Sequence, residues 1–136
     1  MYLSIILDRM EGGSNMAARF LKIAAVYFVL GVCLGLTMGI TENFSFTTVH
    51  AHLNLLGWVS LALFGIIYYC FPKAGETKLA TIHFWLHNIG LPLMQGTLFI
   101  MLLTSNHSIV VLTIIGSIMI VVGAILFLIN VFKNVG

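Results

Sequence analysis

The sequence predicts an all-α membrane protein whose four transmembrane helices run up and down. Three observations carry this expectation. Of the 136 residues, 60% are hydrophobic and only 7% are charged, whereas soluble domains carry roughly a quarter of their residues as Asp, Glu, Lys and Arg. Four windows, 22–40, 47–71, 79–103 and 108–132, each supply the about 20 mostly apolar residues that a spanning helix needs. The connections between these windows are short, and short loops make consecutive helices antiparallel neighbours.

Residues 1–15 hold a short apolar stretch ending at Leu7, then Asp8, Arg9, Glu11 and two glycines. That stretch is too short for a signal-peptide core and lacks the charges that precede one. It is read as an N-terminal extension, with Met16 opening a single four-helix domain over 16–136. The first span, 22–40, carries Gly31, Gly35 and Gly39, a small-xxx-small ridge suited to close helix contact. The loop Thr41 to Ser45 leads to the second span, 47–71, which holds His50, His52, Gly57 and Gly65. After Pro72 to Lys78 comes the third span, 79–103, with His83, His87 and Pro92. Pro92 predicts a kink whose freed backbone groups Asn88 or Gln95 would satisfy. The loop Thr104 to His107 leads to the fourth span, 108–132, where Gly116 and Gly123 repeat the small-residue pattern.

The basic residues give the orientation. Arg9, Arg19 and Lys22 precede the first span, Lys73 and Lys78 lie in the second loop, and Lys133 follows the fourth span. All six fall on one side, so the positive-inside rule places both termini and the second loop in the cytoplasm of a bacterial-type inner membrane. Tyr68, Tyr69 and Trp85 then fall near the inner boundary, as aromatic-belt residues do. With so few cations there is no basic stripe for nucleic acid. Cys33 and Cys70 lie in apolar runs without Cys-x-x-Cys or Cys-x-x-Cys-His, so neither a disulfide framework nor covalent heme attachment is available.

Five histidines stand against four acids in total, and ionisable residues inside a membrane face an interior or a cofactor. Helix rise puts His50 and His52 in the outer quarter of the second span and His83 and His87 near the inner face of the third, with the two pairs on the order of 20 Å apart. Residues i and i+2 are separated by about 200° on a helix, so His50 and His52 serve opposite faces and cannot chelate one metal. Whatever they bind takes its second ligand from a neighbouring chain's second span or from His107. His83 and His87, at i and i+4, share a face that suits one ion, a water chain or a structural role. For His107, in the outer loop, a hydrogen-bonded or snorkelling role is the ordinary one.

The segment Val49-His50-Ala51-His52-Leu53-Asn54, then Phe64 to Pro72, then Leu79-Ala80-Thr81-Ile82-His83-Phe84 and Asn88-Ile89-Gly90, resembles the last helices of subunit I of the heme-copper oxidases. The likeness covers about 46–132. It implies that His50 matches the ligand of the high-spin heme and His52 that of the low-spin heme, while His83 matches a histidine that is not a heme ligand. His87 has no assigned counterpart. The helices that supply copper-ligating histidines in that family are absent, so the resemblance implies noncovalent, b-type heme without copper. Subunit I looks like three four-helix arcs about a pseudo-threefold axis. A four-helix relative would rebuild that ring as a homotrimer, each heme held by His50 of one chain and His52 of the next.

The expected function is that of a membrane cytochrome passing electrons through bis-histidine heme, with a quinol or a cytochrome as electron partner and membrane lipid around it. A heme enzyme or gas-binding protein with an open axial site is a second reading. A non-catalytic assembly or channel subunit without heme is a third.

Overall fold

The computed structural model describes the backbone throughout and the side chains of residues 1–4 and 15–136. Most of the extension read over residues 1–15 lies outside the described side chains. The described residues form helices and no strand. Four helices are long and apolar enough to cross a membrane: Asn15–Thr41 within the longer helix Tyr2–Thr41, then Thr47–Cys70, Lys78–Thr104 and Val110–Asn134. At 1.5 Å per residue, even the shortest exceeds the about 30 Å hydrocarbon layer. These bounds match the windows read from the sequence within a residue for the second and third helices and within two for the fourth, and differ at the first. Its apolar window begins at Lys22, but the helix extends N-terminal of it through Arg19.

The loops after the first and third membrane-length helices use one device twice. Thr41 and Thr104 end their helices with hydroxyls bonded to the carbonyls four residues back. The next residues, Glu42 and Ser105, both take φ 53° in the left-handed region, where a helix C-terminus turns. Asn43 and Asn106 then accept from the backbone N–H two residues on, at 3.0 and 2.9 Å. This is the Asx turn that short polar side chains make.

The first helix packs along the second and the third along the fourth, and glycines set both distances. A Cβ on Gly57 would lie 2.6 Å from the Tyr27 ring, and one on Gly116 would lie 2.6 Å from the Met94 nitrogen and 2.7 Å from the Gly90 carbonyl. The two pairs join at the end that carries the Pro72 loop, around the fully buried Phe20, Leu61 and Tyr68. Phe20 of the first helix meets Phe84 of the third edge-on at 5.0 Å between ring centroids. The third helix runs from Lys78 to Thr104 without interruption through Pro92.

The loop between the second and third helices is tied down by the fourth. Pro72 opens the short helix Pro72–Gly75, where its missing N–H costs nothing. Thr77 caps the third helix by accepting from Ala80 N–H at 3.0 Å. Asn130, fully buried, donates to the Ala74 carbonyl at 2.8 Å and accepts from the Thr77 hydroxyl at 3.0 Å.

One element has no signature in the sequence. The middle of the second helix, Leu53–Val59, is π-helical. Its i+5 bonding ends with Ser60 N–H donating to the Leu55 carbonyl. When such a segment returns to i+4 bonding one carbonyl is skipped, which here frees the Leu56 oxygen for a partner outside its own helix.

Candidate functional site

His50 sits in the notch made by the glycines of the first helix. A Cβ on Gly35 would lie 2.8 Å from its Cε1. Its Nδ1 is 3.0 Å from the Gly31 carbonyl. A carbonyl only accepts, so Nδ1 carries the ring hydrogen and Nε2 keeps a free lone pair. Asn54 donates to the His50 carbonyl at 2.8 Å, and its 3.4 Å approach to Nδ1 is a contact between two donors. Nε2 makes no hydrogen bond to the described residues and is not enclosed. A histidine whose Nδ1–H is held by a backbone carbonyl while Nε2 stays open has the arrangement of a braced metal ligand.

His52, also half-buried, differs. Its Nδ1 is enclosed without a partner, and its Nε2 is open like that of His50. Helix geometry turns the two rings to different faces, so their open nitrogens serve different ligands or different copies of the chain. His107 is exposed in the loop between the third and fourth membrane-length helices.

The pair on the third membrane-length helix is enclosed. His83 is 0% and His87 2% exposed. Phe64 meets His83 edge-on at 4.5 Å and His87 at 5.4 Å, while Phe20 and Phe127 close on His83 at 5.5 and 5.2 Å. Asn130 donates to the Tyr68 oxygen at 3.5 Å, which leaves the phenol hydrogen for His83 Nδ1 at 3.1 Å. His87 Nε2–H donates to the Leu56 carbonyl at 2.9 Å, the oxygen released by the π-helical segment. The two rings lie 6.0 Å apart, with His83 Nε2 and His87 Nδ1 unpartnered. Among the described residues no group of three or more His, Cys, Asp or Glu side chains is placed to hold a metal ion.

Several positions differ from the sequence reading. Tyr68 is no belt residue: it is fully buried and bonded to His83, whereas Tyr69 and Trp85 stand exposed on the surface. Asn88 donates to the Phe84 carbonyl one turn back at 2.8 Å, but Gln95 satisfies nothing and both its amide atoms are unpartnered. The His pairs are closer along the membrane normal than helix counting gave, because His87 reaches Leu56, four residues from His52. Gly31 and Gly35, read as a helix-contact ridge, receive Asn54 and His50. Tyr68, Asn130, Thr77 and Gln95 were not singled out as a site, and an Asn near the end of an otherwise apolar fourth span was the one available signal.

No protein family, curated protein or solved structure matches this chain.

Proposed function

We propose that this chain is a heme-binding membrane protein, a b-type cytochrome that passes electrons through bis-histidine heme. Its four helices alternate in direction, with both termini and the Pro72 loop in the cytoplasm of a bacterial-type inner membrane. The likeness of His50 and His52 to the heme ligands of heme-copper oxidase subunit I motivates this reading. The observation that carries it is the state of His50: Nδ1–H held at 3.0 Å by the Gly31 carbonyl, and Nε2 without a hydrogen-bond partner among the described residues. Copper has no part in the reading.

Held there by His50 and His52, heme would supply a one-electron couple. This chain's residues do the rest. Gly31 fixes the tautomer of His50 and aims Nε2 outward. Gly35 leaves room for the ring, and the half-buried setting of both histidines raises the stake of satisfying them. Because His50 and His52 face apart, a second copy of the chain supplies the opposite ligand, and a closed ring, most simply a trimer, lets every copy do so.

The test is a reduced-minus-oxidised optical spectrum of the purified protein with its heme-to-chain ratio. The proposal expects a six-coordinate b-type spectrum, unaltered by carbon monoxide, at one heme per chain. A carbon monoxide response would favour an open axial site. A preparation without a Soret band, even after heme is added, would leave the fold as an assembly or channel subunit.

A further inference from the structure

A groove of about 640 Å³ runs between the first, second and third helices, within the range of small-molecule sites. Val26 and Leu30 of the first helix form its rim and are half exposed, so it opens sideways toward the acyl chains of a bilayer. Leu53 of the second helix and Phe99 of the third extend its apolar wall. Gln95 lies in that wall, only 4% exposed, with neither amide atom partnered. In a membrane no water compensates such a group, and leaving it unpaired costs several kcal/mol. One turn of helix away, Pro92 has no N–H to lend, and the neighbouring Gly96 leaves space: a Cβ there would meet nothing within 4 Å.

We propose that this groove binds a lipid-soluble molecule with an apolar body and a head carrying a carbonyl or hydroxyl group. The carboxamide of Gln95, at the groove wall, offers a donor to a carbonyl and an acceptor to a hydroxyl. The apolar walls take the body of the ligand, and the open side admits it from the bilayer. Two sources share this chemistry, a quinone ring and a long-chain lipid alcohol. The inference does not depend on heme. Where heme is bound, though, the head would lie beside Leu53, the residue after His52.

The test uses the full-length protein in detergent, with a tritiated decyl-benzoquinone as probe and unlabelled decyl-benzoquinone, dodecanol or dodecane as competitor. Saturable binding near one molecule per chain is expected, unaffected by dodecane. Competition by the quinone alone assigns the groove to a quinone head, and competition by dodecanol as well assigns it to the shared carbonyl or hydroxyl chemistry. If dodecanol binds saturably, by its own tritiated form, where the quinone does not, the lipid alcohol is the source. Gln95→Leu should weaken binding about tenfold, the loss of one hydrogen bond. Gly96→Phe should abolish it by filling the space, with Val26→Phe as a second filling variant if the first elutes as aggregate. No saturable binding of either probe, or binding unchanged in Gln95→Leu and in the filling variants, overturns the proposal. Heme content is read on the same samples, so failure of the heme reading and failure of this one are distinguishable.

Discussion

The two histidine pairs of this chain have the same side chains and opposite treatment. His83 and His87, at i and i+4, point to one face and are shut inside an aromatic box, with one nitrogen of each ring bonded to Tyr68 or Leu56. His50 and His52, at i and i+2, point to different faces and each keeps an open Nε2. Spacing decides the difference. His83 and His87 share one face, which is packed among Phe20, Phe64 and Phe127, whereas His50 and His52 lie on different faces and are each only half-buried. On the proposed reading, the enclosed pair is scaffold and the open pair is the place where something from outside is bound.

The largest effect should come from removing the braced ligand. His50→Ala is expected to cut the heme-to-chain ratio about tenfold or more, while His87→Ala leaves heme content within about twofold and lowers thermal stability in detergent by about 1–3 kcal/mol through the orphaned Leu56 carbonyl. Equal heme loss in both variants would erase the contrast between the pairs.

Smaller, and confined to the enclosed pair, is the effect of Tyr68→Phe. It strips His83 of its one hydrogen bond and should cost about 1–3 kcal/mol in detergent unfolding, with the optical spectrum unchanged. A shifted heme spectrum in Tyr68→Phe would mean that the enclosed pair takes part in ligation.

Within the open pair the two rings should differ. His50 has the Gly31 carbonyl behind it and His52 has no acceptor behind its Nδ1. Gly35→Ala, whose Cβ would press on the His50 ring at 2.8 Å, should lower heme affinity by about tenfold, the usual range for disturbing a ligand's support. His107→Ala, at an exposed loop position, should change neither affinity nor spectrum.

The sequence made the spans legible because lipid imposes a length and a composition on them: Thr47–Cys70 and Lys78–Thr104 agree with their apolar windows within a residue at each end. It made the division between His50 and His52 legible too, since helical periodicity alone separates i from i+2. The π-helical turn at Leu53–Val59 was not legible. Gly57 and Asn54 lower the helix propensity there without selecting a π-turn, and the partner that takes the Leu56 carbonyl, His87, comes from another helix. The burial of Tyr68 was hidden for a similar reason. Tyr68 and Tyr69 read alike as belt residues, and only the arrival of His83 and Asn130 distinguishes them. Gln95 looked like a plug for the backbone at Pro92, but its position one turn beyond the proline turns it into the groove wall.

The central claim, that one heme is held by His50 of one copy and His52 of another, is tested most directly by mixing. Chains carrying His50→Ala and chains carrying His52→Ala, each poor in heme alone, are co-assembled and their native mass and heme content are measured together. The account predicts trimers of mixed composition that regain heme, because a mixed ring contains contacts where an intact His50 faces an intact His52. A heme-loaded monomer of the unaltered protein, or mixed rings as empty as the parents, would contradict it.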